Sequence, residues 1–365
     1  MRATALCILM FLIGGHVGAQ QPALIGYYAG NGNGLEAHRI EQLTHLIWCF
    51  GHLEGDSLRL FPSNEEFPKA REKTIAAMVG FKQRNPSLKV LLSFGGWGGC
   101  ETCSEVFSRE EGRRAFALST LKLLQRTHTD GIDLDWEYPA VQGPQGHAYA
   151  DADRHNFTLL VRELRKTLGD AYEISFAAGG PDECLLKGFE WDSIMPLVDR
   201  VHIMSYDLVH GFSTTTGHHT ALYATPSQSL SADHAVQLLD SLQVPRKKIV
   251  IGSAFYARVW KDVGPANDGL FQPGVFHGSI PYYACDTSLT GANGWSFHTD
   301  RLACASYAYN ASLRQFATFD DAASVAAKAG YVRHEGLGGI MFWQLNDDLP
   351  EGGLLNAMYK ALRAR

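Results

Sequence analysis

The chain has 365 residues, of which 45% are hydrophobic and 19% charged, and carries a net charge of -6. That is the composition of an ordinary soluble globular protein, long enough for one large domain or two of average size. No basic block offers a footing for nucleic acid or for an anionic membrane surface, whereas an uncharged polymer would meet no electrostatic penalty.

Arg2, the apolar run 6–13 and the small residues Val17-Gly18-Ala19 form the pattern of a secretory signal peptide over residues 1–19. The run is too short to span a bilayer, and no later segment is long enough to be a membrane helix. Cys7 lies inside the run, not at its end, which argues against a lipid anchor. Secretion to an extracellular or periplasmic space is therefore expected, and six cysteines remain after cleavage. An even count in an exported protein suggests disulfides. Cys100 and Cys103 are close enough to pair in a loop, Cys285 and Cys304 share a late segment, and Cys49 and Cys184 are expected to stay reduced. Zinc at Cys100-x-x-Cys103 lacks a second ligand pair, so no metal and no cofactor are expected.

Short apolar runs alternate with amphipathic stretches. The strand candidates are 24–29, 45–50, 89–93, 131–137, 173–178, 200–206, 249–255 and 339–343, and helical spacing falls at 69–83, 112–127, 154–168, 232–242, 322–334 and 354–362. Eight strands with crossover helices predict an α/β fold, a (β/α)8 TIM barrel. A doubly wound open sheet is the alternative, disfavoured because no Gly-rich dinucleotide fingerprint follows the first strand. From 259 to 316 the helical rhythm stops, and Gly, Pro, Asn and aromatic residues dominate. That length exceeds an ordinary loop, so a small α+β module is expected there, inserted after the seventh strand. The expected division is a barrel of 20–258 and 317–365 around an insertion of 259–316, forming a wall beside the cleft.

The sharpest signal is Asp130-Gly131-Ile132-Asp133-Leu134-Asp135-Trp136-Glu137. On a strand, Asp133, Asp135 and Glu137 share one face, while Ile132, Leu134 and Trp136 take the other, under covering helices. Three carboxyl groups inside a barrel cannot all ionise at neutral pH; they bind a cation or share protons for acid–base work. A calcium loop would need a glycine turn and further spaced ligands, and a magnesium–phosphate site a glycine cradle, and neither follows. Glu137 ends the row at the C-terminal end of its strand, where barrel active sites lie, and neighbouring charge or burial would keep it protonated as a general acid.

With this row the sequence resembles the family 18 glycoside hydrolases, the chitinase family, whose signature D-x-x-D-x-D-x-E is matched by Asp130, Asp133, Asp135 and Glu137. Ser93-Phe94-Gly95-Gly96-Trp97 is similar to the family's S-x-G-G segment, and Met204-Ser205-Tyr206-Asp207 to its M-x-Y-D. Arg258 resembles an arginine lining the cleft, and Trp343 the tryptophan that floors the sugar site. Phe319-Asp320-Asp321 before a helix is usual where members carry the inserted module. The resemblance implies retaining hydrolysis of β-1,4 links in chitin or N-acetylglucosamine oligosaccharides, with the substrate's own acetamido carbonyl as nucleophile. It assigns Glu137 the proton transfers, Asp135 the acetamido N–H, Asp133 a spare proton behind Asp135, Tyr206 the acetamido oxygen, and Asp207 a part in shaping the same site. Met204, with Trp97, Tyr27 and Phe50, is expected to line the substrate site; Ser93, Gly95 and Gly96 pack near Asp133, and Trp136 belongs to the core. His218 and His219 read as solvated or structural loop residues, and Asn156 and Asn310 open glycosylation sequons. A lectin that has lost its acid and an endo-β-N-acetylglucosaminidase acting on N-glycans are the rival functions; the first conflicts with Glu137, the second with the insertion. The partner expected is the saccharide alone, bound by a monomer.

Overall fold

A computed structural model describes residues 21–61 and 68–364, so the expected signal peptide lies outside the described residues. Eight parallel strands close a barrel: β1 (Ala23–Tyr28), β2 (His45–Glu54), β4 (Lys89–Gly95), β5 (Gly131–Asp135), β6 (Glu173–Gly179), β7 (Arg200–Met204), β8 (Ile249–Ala254) and β14 (Gly339–Trp343), with β3 (Ser57–Arg59) added antiparallel to β2. Pairing of β1 with both β2 and β14 closes the ring. The strands read as nearly unbroken apolar runs because both of their faces are covered. Outward residues such as Leu92, Ile132, Phe176 and Ile203 join the large core under the helices; inward ones such as Ile25, Ile47, Leu91, Val250 and Met341 form a second, axial cluster.

The outer ring is built by α1 (Pro68–Gly80), α2 (Cys103–Ser108), α3 (Glu110–Thr127), α4 (Asp153–Leu168), α5 (Asp182–Lys187), α6 (Trp191–Ile194), α7 (Ala232–Ser241), α9 (Ala322–Glu335) and α10 (Leu354–Arg363). In α4, Phe157, Leu160, Val161, Leu164 and Leu168 recur at helical spacing and turn one stripe into the core. Asp321 starts α9 with a capping box, its Oδ1 accepting from the N–H groups of Ala323 and Ser324 at 2.9 and 2.8 Å.

Between the seventh and eighth barrel strands the chain forms a second sheet. β9 (Tyr256–Lys261), β10 (Val275–Pro281), β11 (Trp295–Asp300), β12 (Ala305–Asn310) and β13 (Gln315–Phe319) are antiparallel in the order β10-β9-β13-β12-β11, with the short helix α8 (Tyr282–Ser288) following β10. One face buries Val259, Leu289, Trp295, Ala308 and Ala317. The other buries Trp260, Tyr309 and Phe316 and is stitched to the loop after β7: Trp260 Nε1 donates to the Ser213 carbonyl at 3.0 Å, and the N–H of Gly274 to that of Thr214 at 3.0 Å.

The N-terminal end of the barrel is plugged by a polar cluster. Glu173 accepts from Lys89 Nζ at 2.9 Å and from Arg200, with His45 Nε2 at 3.2 Å. Burial alone would push Glu173 up; His45, Arg200 and Lys89 overcome it and hold the carboxyl well below its ordinary range. Nearby, Asp130 is tied to Lys82 Nζ and to the Val90 N–H, so the first member of the acid row anchors β4 to β5 and stays away from the cleft.

The sulfurs of Cys100 and Cys103 lie at bonding distance, with Cα atoms 5.0 Å apart. Cys285 and Cys304 are both free, contrary to the expected bridge, because they pack against different cores: Cys285 against the module's, Cys304 against the barrel's. Cys49 and Cys184 are free and buried as expected. Both sequon asparagines are buried, and Asn310 Nδ2 already donates to the Asn293 carbonyl at 2.8 Å, which leaves neither free to carry a glycan in the folded chain.

Candidate active site

At the C-terminal end of the barrel, β5 stops at Asp135 and hands the chain to the loop that carries Glu137. Alternation persists through that junction: Asp133, Asp135 and Glu137 are 0, 4 and 8% exposed along the axis, and Trp136 turns outward into the main core. The three acids therefore descend from the cleft floor into the barrel.

Their surroundings differ. Asp133 is saturated with donors: Ser175 Oγ to Oδ1 at 2.7 Å, and Ser93 Oγ and the Tyr27 hydroxyl to Oδ2 at 2.8 and 3.0 Å, with His202 Nδ1 3.4 Å from Oδ1. Burial pushes this carboxyl up, but His202 and the two serines outweigh it, and the net result lies below its ordinary value. Asp135 has the opposite environment. Its Oδ1 is buried without a partner among the described residues. Burial, then the charges of Glu137 and Asp133, hold it well above its ordinary value. Glu137 is raised from 4.5 to about 7, mainly by burial, with Asp207 adding to the rise and a hydrogen bond from Tyr138 opposing it. A row of three carboxyl groups has thus been separated into one anchor held below its ordinary pKa and two upper acids pushed above theirs.

The predicted neighbours converge on this row. Tyr206 follows β7, and its hydroxyl lies 4.0 Å from the Met341 sulfur; burial raises its pKa well above the ordinary value, so it remains a donor. Met204 and Phe50 pack with Trp343 and Tyr206 on the axial cluster. Phe50 lies nearly parallel to Trp343 (centroids 5.5 Å, planes 15° apart), and Tyr27 tilts against the same indole at 5.9 Å. Tyr27 itself is buried, with its hydroxyl committed to Asp133 and His202. Trp97 stands 54% exposed at the rim, edge-on to Tyr138. Arg258 does not reach freely into the cleft: its Nε donates to Asp207 Oδ1 at 2.8 Å, Nη2 to Oδ2, and Nη1 to Ser279 Oγ at 3.0 Å. Burial raises the Asp207 carboxyl, yet His219 and Arg258 prevail and keep it ionised well below its usual range.

Gly95 and Gly96 explain how the row fits beside β4. Gly95 has φ +104°, and a Cβ there would lie 2.3 Å from the Asp135 carbonyl oxygen; one on Gly96, at φ +79°, would strike the Phe50 ring at 2.6 Å. Gly95→Ala is therefore expected to part β4 from β5 directly beneath Asp135. A loss of about 1–3 kcal/mol from the strained backbone, read by urea unfolding, should accompany a drop in turnover.

Sequence reasoning missed Ser175 and His202, both of which hold Asp133. The signal for His202 was present, since it alternates inward with Met204. His218 and His219, read as solvated or structural, are fully buried because the second sheet covers their loop.

The profile described as Glycosyl hydrolases family 18 matches residues 23–348. Chitinase A1 of Niallia circulans is 33% identical over 292 residues, which are 73% of this chain and 42% of that protein, so the alignment covers less than half of that relative. Chitotriosidase-1 of Mus musculus is 28% identical over 334 residues, 86% of this chain and 68% of that one. Among solved structures, a glycoside hydrolase family 18 N-acetylglucosaminidase from Paenibacillus barengoltzii shares 33% identity at a TM-score of 0.83, covering 93% of this chain and 99% of that one. The likeness to that solved structure takes in the barrel and most of the inserted sheet, the family profile spans most of the chain, and the chain belongs to the glycosyl hydrolases family 18.

Proposed function

We propose that the chain hydrolyses β-1,4 links between N-acetylglucosamine units with retention, using Glu137 as general acid and then general base. The observation that carries this reading is the burial of Glu137 at the C-terminal end of the barrel, which raises its pKa to about 7, next in the row to Asp135, whose Oδ1 is buried without a partner among the described residues and whose pKa burial holds well above its ordinary value. Glu137 protonates the leaving oxygen, the substrate's acetamido carbonyl attacks its own anomeric carbon, and Glu137 then takes a proton from the water that opens the cyclic intermediate. The Tyr206 hydroxyl donates to the acetamido oxygen, and Asp135 faces the acetamido N–H. Because Asp133 is saturated with donors, the spare proton of the row rests on Asp135, not on the deeper aspartate. Phe50 and Trp343 floor the site for an apolar sugar face, Trp97 offers a second platform at the rim, and the Asp207–Arg258 pair walls the pocket.

Incubation with N-acetylglucosamine oligosaccharides, with products resolved by length and anomer, tests this. β-Anomers are expected first, and a thiazoline mimic of the cyclic intermediate should block turnover. Turnover unaffected by the mimic would point to a two-carboxylate mechanism. Release of single sugars is favoured as a second reading by the N-acetylglucosaminidase matched over 99% of its length; product length separates it from internal cleavage. The paired Cys100 and Cys103 support secretion into an oxidising compartment.

A further inference from the structure

Asp207 occupies an unusual backbone position, a non-glycine residue at φ +53° immediately after Tyr206. Arg258 holds it from the second sheet. A second group reaches it from the loop after β7: His219 Nδ1 lies 3.4 Å from Asp207 Oδ1. The His219 ring is fully buried, 5.3 Å from the ring of Tyr256, and its Nε2 has no partner among the described residues. A carboxylate only accepts, so the proton between them sits on Nδ1. The backbone of His219 is pinned as well, its N–H donating to Thr318 Oγ1 at 3.3 Å and its carbonyl accepting from the Leu208 N–H at 3.0 Å.

We propose that His219 is a positioning residue whose Nδ1–H fixes the Asp207 carboxylate in one orientation and so fixes the negative charge that faces Glu137. The inference rests on Glu137 acting as the acid. Burial is the main influence on His219 and lowers its pKa. Asp207 and Asp320 oppose that and Arg258 adds to it, while Lys328 donates to both oxygens of Asp320. The ring is thus a neutral donor. Asp207 is faced in turn by Arg258, His210, Tyr206, Tyr256 and Glu137. Without the second donor, the carboxylate is free to follow Arg258, and its field at Glu137 weakens.

Two substitutions separate positioning from packing. His219→Asn keeps an N–H close to the place of Nδ1, whereas His219→Leu fills the space without a donor. His219→Asn is expected to stay within about twofold of the wild type in kcat/KM. His219→Leu should raise KM for N-acetylglucosamine oligosaccharides about tenfold, the scale of one hydrogen bond to a charged group, and move the alkaline limb of kcat/KM to lower pH. Independently of turnover, 13C carboxyl NMR should show the Glu137 midpoint falling in His219→Leu alone. Equal midpoints in all three proteins, or equal shifts in both variants, would overturn the proposal. Should His219→Leu not fold, His219→Gln, whose amide lies beyond the Nδ1 position, replaces it in both measurements. A wild type inert toward these oligosaccharides would sink the proposed function, while the NMR midpoints would still decide the part played by His219.

Discussion

Glu137→Gln is expected to lower kcat by a factor of about 10^2–10^4 while leaving oligosaccharide affinity within about twofold, because the amide keeps the shape of the acid and has no proton to give. The wild type should show an alkaline limb in kcat/KM at about pH 7, where Glu137 ionises. The same substitution carries a stability signature. In the folded chain the pKa rises from 4.5 to about 7, so the unfolded chain gives up this proton first. The wild type therefore has its full share of stability below pH 4.5 and loses it progressively as pH rises through 7. The amide of the variant has nothing to ionise. Thermal unfolding should show variant and wild type closest at pH 4.5, with the variant ahead at pH 8 by up to about 3 kcal/mol. A variant that hydrolyses oligosaccharides at the wild-type rate would remove Glu137 from the mechanism, and a gap that does not grow with pH would contradict its raised pKa.

Asp320→Ala is expected to destabilise the fold by about 3–5 kcal/mol in urea titrations. Lys328 on α9 is completely buried, and its Nζ donates to Asp320 at 2.9 and 2.7 Å and to Thr220 Oγ1. Asp320 also accepts from the Thr220 hydroxyl and the Ala254 N–H, each at 3.0 Å, and from Ser324 Oγ at 2.6 Å. Removing the carboxylate strands an ammonium in the core and leaves a buried backbone N–H unpaired. Burial already lowers the Lys328 pKa, so the loss should shrink at alkaline pH, where the stranded amine sheds its proton. Replacing both partners, as Asp320→Asn with Lys328→Met, should cost clearly less than the single change, since no uncompensated charge remains. Equal losses for single and double variants would mean that packing, not charge, holds this junction.

The barrel was legible because its strands alternate or run apolar with a strict period, and the acid row because three carboxyls on one inward face demand a chemical reason. Strand ends were less legible. The expected strands 131–137 and 200–206 stop at Asp135 and Met204, since the residues beyond give up pairing to build the cleft. Only Phe255 separates β8 from β9, so no turn residue announces where the second sheet begins. His219 was illegible for a different reason: it lies in a loop without periodicity, and its burial is created by a sheet that comes well after it in the sequence. Arg258 was found by its resemblance, but its commitment to Asp207 depends on two elements that come together only in three dimensions.

The hydrogen bond from Ala254 to Asp320 has a further implication for engineering. Ala254 closes β8 and Asp320 directly follows β13, so the excursion between them leaves and re-enters the barrel through a single doorway, 3.0 Å wide from N–H to carboxylate. Residues 255–319 thus have adjacent ends, but they are not self-contained: Phe255 stacks on Phe342 in the barrel core, and Trp260 and Arg258 bind Ser213 and Asp207 after β7. A graft onto another eight-stranded host at this junction would need no spacer peptides, but it would have to bring the loop after β7 that the sheet covers, with an aspartate and a lysine to latch the doorway shut.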